Sequence, residues 1–271
     1  MIPSHFDEKD NRKNHSGAQR TFKRIRHRAP MLRLESAHGR EDVEAFDQSV
    51  RKTLGIDLPV EYVVEPKIAG VSVGLGYEKG VLKAASTAGD GNVGDEVTAN
   101  IKTILTVPLN LTKPGSGKDV PEVLEVQGRV YVEKTHLERL NRLRRDRQEP
   151  PFANVQDAAE NSLLQSDPRA AAKTPLNVFC VGVGLMEGVE FESHYDRMVA
   201  LQSWGLRVDR PRMTVCGSVS EVWDRCLALA NTRGELPYAI EGAVIKVNGI
   251  GYQRRLDREA GQSKWAIAYE F

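Results

Sequence analysis

Residues 60–80, VEYVVEPKIAGVSVGLGYEKG, constrain the fold more than any other part of the chain. Val60, Tyr62, Val63 and Val64 form an apolar run that stops at Glu65-Pro66-Lys67, and a second run, Val71 to Tyr77, alternates as a strand does. A lysine at the junction of two strands is costly when it is charged, buried and unpaired, so it needs a partner or a ligand. Glu65 precedes it by two residues and shares its side of a strand. Two readings stand: a structural ion pair between Glu65 and Lys67, or a nucleophilic lysine activated by its surroundings. A second interior lysine bears on the choice. In residues 239–247, AIEGAVIKV, Glu241 and Lys246 bracket another apolar strand. Two strands that each carry a Glu and a Lys toward the core suggest a pocket for a polyanion.

The 271 residues suffice for one large domain or two small ones. With 38 basic and 37 acidic side chains the formal net charge is +1, which does not advertise nucleic-acid binding but leaves room for a local patch. Cys180, Cys216 and Cys226 are too few and too scattered for a disulfide framework or a zinc site, and the histidines show no metal spacing. No structural metal is expected, and a reducing cytoplasm is the simplest compartment. No apolar run is long enough to span a membrane and no signal peptide is present, so neither a membrane protein nor an exported one is expected.

Residues 1–19 are polar and read as a flexible tail ahead of one domain, 20–271. The basic run RTFKRIRHR, 20–28, reads as a solvated arm, against a phosphate-contacting role. A helix over 41–55 follows from the stripe Val43, Phe46, Val50, Leu54 with Gly55 as its cap. Strands are expected at 60–66, 71–77 and 80–87, with Glu78-Lys79-Gly80 as the turn between the last two. Asp90-Gly91 lies in a loop, after which Val97, Ile101 and Ile104 mark a helical stripe. Further strands are expected at 124–132, 176–184, 239–247 and 263–271. Helices are expected at 135–147 (Leu137, Leu140 and Leu143 inward), about 195–204, and 219–232. Trp204, Trp223 and Trp265 sit among apolar neighbours and read as packing. The order is mixed α+β rather than regular βαβ alternation.

Six blocks in this order carry a resemblance: EPKIAGVSVGLGYEKG, GDGNVGDEVTANIKTI, LEVQGRVYV, PFANVQDAAENSLLQSDPR, PYAIEGAVIKVN and KWAIAYEF. From about Phe22 to Phe271 the chain resembles the adenylation (nucleotidyltransferase) domain of bacterial NAD-dependent DNA ligases. The resemblance implies an ATP-grasp-like nucleotidyltransferase fold, with mixed and antiparallel sheets flanked by helices. It implies NAD and Mg²⁺ as cofactors and nicked double-stranded DNA as partner, alongside ligase domains not contained in this chain. In the family, a lysine attacks the α-phosphate of NAD, expels nicotinamide mononucleotide and passes AMP to the 5′-phosphate at a nick. By motif, Lys67 is the nucleophile and Glu65 contacts adenine, beside Gly70. Glu125 lies near the ribose, Lys246 on the phosphate, Glu241 near the metal, and Arg233 close to the nucleotide. Phosphoryl transfer asks mainly for a positioned nucleophile and cations to neutralise spreading charge.

The chain departs from the family pattern at several of these places. The motif aspartate is Ala69, an arginine is Ala88, and the Glu-Val-Arg-Gly-Glu block reads Glu125-Val126-Gln127-Gly128-Arg129. In the fourth block two arginines become Gln156 and Leu164, an asparagine becomes Asp157 and a glycine Asn161; in the last, a phosphate-binding lysine becomes Glu270. Impaired transfer is therefore expected. The alternative is an inactive homologue kept for binding nucleotide or, through Arg139, Arg142, Arg144, Arg145 and Arg147, DNA; a solvated helix face is the other account of those arginines. Met1 and a tail unlike the family favour a short stand-alone homologue over a fragment, and no nick sealing is expected from this chain alone.

Overall fold

The computed structural model describes residues 22–31, 33–113, 115, 117–258 and 264–271, so the expected polar tail lies outside the described residues. In chain order the elements are β1 (Arg24–Arg26), β2 (Glu35–Ala37), α1 (Arg40–Leu54), β3 (Tyr62–Ile68), β4 (Val71–Glu78), β5 (Val81–Thr87) and β6 (Val93–Asp95). There follow α2 (Thr98–Ile101), β7 (Val123–Val132), α3 (Lys134–Asp146), α4 (Val155–Leu163), α5 (Pro168–Ala171), β8 (Leu176–Glu187) and α6 (His194–Ser203). The chain continues through β9 (Thr214–Cys216), α7 (Val219–Thr232), β10 (Ile240–Val247), α8 (Ile250–Arg258) and β11 (Ala266–Glu270).

Two sheets organise the molecule. One has the strand order β2-β11-β10-β3-β9 and the other β5-β4-β7-β8, with β1 and β6 as a separate ribbon. Pairing is antiparallel except between β2 and β11, so the α+β class with mixed sheets holds. β3 and β4 are consecutive yet belong to different sheets, so the chain crosses between layers at Ala69-Gly70. Gly70 is required there: a Cβ would fall 2.2 Å from the carbonyl oxygen of Val130 on β7. The β4–β5 turn is equally tight, with Lys79 at φ 49° and Gly80 at φ 76°, the pattern a two-residue hairpin needs.

Each sheet has its own core. Val73, Leu75, Leu124 and Val126 pack under Leu163, Met198, Leu201 and Trp204, while Tyr62, Ile245 and Val247 pack under α1 and α7. The rings of Tyr131 on β7, Phe179 on β8 and Tyr238 join the second core to the sheet β5-β4-β7-β8; Tyr131 and Phe179 stack at 5.1 Å. Trp204 is fully buried and Trp223 and Trp265 pack at the margin of the second core, as expected.

Several expectations change. The described part of the basic run is not a solvated arm: β1 pairs with β6, His27 is buried against the carbonyl of Ala88, and Arg28 pairs with Glu78. Its partners lie far along the chain, out of reach of a local reading. The helix after Glu96 is one turn, although Val97, Ile101 and Ile104 are buried as expected. Leu143 on α3 is 45% exposed, because that helix buries only Leu140 fully. β2, β9, α4, α5 and α8 were not foreseen, though Asn154 capping α4, and Asp167-Pro168 opening α5, are ordinary start signals.

Candidate active site

Lys67 is placed by register. β10 lies between β3 and β11, and Lys67, Gly242 and Glu270 form one row across the three strands. Gly242 has no side chain to separate its neighbours, and a Cβ there would sit 1.9 Å from the Tyr269 carbonyl oxygen. Across that gap the Lys67 ammonium donates to both oxygens of Glu270, at 2.8 and 2.9 Å. The register slips between Ile240 and Gly242, and this bulge presents Glu241, whose Oε2 lies 3.3 Å from Lys67 Nζ. The Lys67 side chain is 21% exposed. Arg129 enters from β7 and donates to the Gly70 carbonyl at 3.1 Å; burial lowers its guanidinium below the ordinary value while Glu241 opposes that shift.

Deeper between the sheets, Lys246 donates to Glu65 and to the Val181 carbonyl, both side chains being almost fully buried. His194 Nε2 lies 3.7 Å from Glu65 Oε2, too far for a hydrogen bond, and has no other partner among the described residues. Burial alone would raise the Glu65 carboxyl, but the Lys246 charge and His194 outweigh it and hold the group below the usual range. Burial pushes the His194 imidazole down, and Lys246 pushes the same way. The expected Glu65–Lys67 pair therefore does not form. Positions i and i+2 sit roughly 6.6 Å apart along a strand, whereas Lys246 reaches Glu65 from the neighbouring strand. Sequence reasoning passed over His194, which shows no spacing pattern and is brought to Glu65 only by α6.

Glu125 on β7 is buried; its Oε2 accepts the backbone N–H of Arg28 at 2.9 Å, and its Oε1 has no partner among the described residues. An orphaned buried carboxylate oxygen lacks the donor such groups ordinarily have, and it is closely packed: a Cβ on the adjacent Gly184 would meet Ala29 Cβ at 3.2 Å and Glu125 Oε1 at 3.6 Å. Arg233 is not part of the lysine cluster. It follows α7, exposed, with its guanidinium 6.0 Å from the Phe271 ring centroid. The crevice lined by Glu65, Pro66, Ile68, Val181 and Asp209 holds about 10 Å³, room for a single water.

The replaced positions on α4 serve that helix. Asp157 accepts from the Ala153 N–H and from Asn161 Nδ2, and Leu164 packs on the core. Among the described residues no three His, Cys, Asp or Glu side chains converge on a metal position. Glu241 and Glu270, which lie together, are occupied by Lys67, so the protein donors do not fit a resident divalent cation. No described helix is long and apolar enough to cross a membrane.

The family model described as the NAD-dependent DNA ligase adenylation domain matches residues 19–271. The DNA ligase of Desulforamulus reducens is 43% identical over 253 residues, covering 93% of this chain and 37% of that protein. The DNA ligase of Geotalea daltonii is 40% identical over 252 residues, covering 92% of this chain and 37% of that protein. Among solved structures, a mycobacterial DNA ligase D complexed with ATP and MES is 13% identical, with a TM-score of 0.43 over 89% of this chain and 60% of its own. An archaeal ATP-dependent RNA ligase is 16% identical, with a TM-score of 0.44 over 89% of this chain and 48% of its own.

Proposed function

This chain belongs to the family of NAD-dependent DNA ligase adenylation domains, and from that premise we propose that residues 20–271 form a weakened nucleotidyltransferase. Lys67 takes AMP from NAD and the adenylyl group passes to a 5′-phosphate in nicked DNA. The chain spans 37% of the length of the curated relatives it matches, so complete nick sealing is not assigned to this stretch. The observation that carries the reading is Lys67 itself, a partly exposed amine held where β3, β10 and β11 meet and the chain crosses between sheets.

In the first step the Lys67 amine forms a P–N bond at the α-phosphate, the P–O bond to nicotinamide mononucleotide breaks, and the lysine proton leaves to solvent. In this reading the ribose hydroxyl is the donor that Glu125 Oε1, buried and unpaired among the described residues, lacks. Two features slow the step. Ala69 supplies no carboxylate beside the nucleophile, and Glu270 holds negative charge where a phosphate must approach. Removing one charged group from a transferring phosphoryl group takes away roughly 3–4 kcal/mol of transition-state stabilisation. Intact mass measured before and after incubation with NAD and Mg²⁺, and with ATP in parallel, tests the reading. An AMP-sized adduct is expected on the wild type and not on Lys67→Ala; no adduct with any nucleotide overturns it.

A second reading, a binding module, is favoured by α3. Arg139, Arg142, Arg145 and Arg147 are exposed and make no ion pair among the described residues, while Arg144 is held by Glu149 and Phe152. Nicked-duplex affinity that falls steeply with salt supports this role. Replacing two of the four by Ala should lower the log–log slope by about one for each phosphate that is no longer neutralised. Affinity indifferent to salt dismisses it.

A further inference from the structure

We propose that Glu270 is the positioning residue that controls the reactivity of Lys67, an inference that rests on the reading of Lys67 as the nucleophile. In the arrangement described, Glu270 keeps the lysine out of reaction, and an incoming phosphate must displace its carboxylate before the amine can attack.

The geometry is specific. Both Glu270 oxygens accept from the single ammonium, at 2.8 and 2.9 Å, and Glu241 adds a third carboxylate oxygen at 3.3 Å. Two of the three Nζ protons are taken by Glu270, and the Glu241 carboxylate stands close as an ion pair. An ammonium so held offers no lone pair to phosphorus, and the two carboxylates present like charge to any phosphate that approaches along the same side. A polyanionic substrate and Glu270 therefore compete for one partner.

Glu270 is also placed to yield. It is the last residue of β11 and its side chain is 27% exposed. Its carboxylate also accepts a hydrogen bond of 3.3 Å from the Ser36 hydroxyl of β2, which can hold it once it leaves Lys67. Glu241 is 43% exposed, sits on the bulge and meets Lys67 through one oxygen, so it accompanies the clamp rather than forming it. The glycine between them matters equally: Gly242 leaves the row open so that Lys67 and Glu270, two strands apart, can meet.

The test uses a readout that does not require nucleotide transfer. The full chain is treated at fixed pH with a small amine-acetylating reagent, and modification of Lys67 is followed by peptide mass mapping in wild type, Glu270→Gln and Glu241→Gln. The expected result is Lys67 acetylation about tenfold faster in Glu270→Gln, with a smaller gain in Glu241→Gln and an unchanged rate at the exposed Lys83. Equal rates at Lys67 in all three proteins overturn the proposal. If Glu270→Gln is unfolded by circular dichroism, Glu270→Ala and added pyrophosphate replace it. Pyrophosphate that speeds exchange of the clamp alters Lys67 labelling in the wild type, and labelling indifferent to pyrophosphate overturns the proposal. AMP adduct formation in the same samples separates the two readings. Faster acetylation with no adduct in either protein keeps the clamp and removes the transferase; an adduct formed at equal rates with unchanged acetylation does the reverse.

Discussion

Glu65 and Lys246 are the residues with the most to lose from a single substitution. Both are buried, each is the other's charge partner, and removing one leaves the other uncompensated between two sheets. Lys246→Ala is expected to cost about 3–5 kcal/mol in urea unfolding, the range for breaking a buried pair. The same pair and its histidine set a pH dependence. His194 is depressed from its ordinary 6.5, so the unfolded chain binds that proton first; stability is full above about 6.5 and falls as pH drops through that value. Glu65 is depressed from 4.5, so its contribution is full above 4.5 and is lost as pH falls through the folded value. The urea midpoint should therefore decline on going from pH 7.5 to 5.5, and by less in His194→Leu. An equal decline in both proteins would show that other groups carry the upper part of the slope.

At the level of elements, the packing of β10 against β11 decides whether the candidate site exists in this form. The Cβ of Gly242→Ala would meet the backbone of Tyr269, which no rotamer change relieves, so β11 must shift. The expected cost is about 1–3 kcal/mol, as for other overpacked positions, together with a looser pairing of Lys67 with Glu270. Faster Lys67 acetylation in a folded Gly242→Ala protein is the check. Ala substituted for Asn154, whose side chain accepts the Asp157 N–H at 2.9 Å, should by contrast cost about 1 kcal/mol and leave Lys67 labelling unchanged. That pair separates stability from site geometry: both variants weaken the fold, and only one reaches the lysine.

For the molecule as a whole, the ring cluster of Tyr131, Phe179 and Tyr238 ties the two sheets together. Phe179→Ala should cost about 3–5 kcal/mol, the range for emptying a buried aromatic site, with both cores melting in one transition because Tyr131 and Phe179 stand on β7 and β8 yet pack into the core of the other sheet. Separate transitions by tryptophan fluorescence and circular dichroism would contradict that coupling. Much of this architecture was legible beforehand. The strands around residues 62–68, 71–78, 123–132 and 240–247 alternate or run apolar, and Gly55 ends α1 in the left-handed conformation a helix cap uses. Short strands such as β2 and β9 were not legible, because three residues carry too little periodicity and are strands only through their neighbours.

From the residues alone it follows that two apolar strands each carry a Glu and a Lys, and that Gly70 follows the first lysine. Set against the family pattern that the chain resembles, the same residues also put Ala69 where that pattern has a carboxylate and Glu270 where it has a lysine. Who meets whom was settled only when the strands came together. Strand periodicity assigns residues to faces, which made Glu65 and Lys67 look like partners; cross-strand register assigns contacts, and it gave Glu65 to Lys246 and Lys67 to Glu270. The difference is one of range. A strand's own repeat is set by local backbone geometry, whereas its register is set by burial and bulges contributed from segments far along the chain.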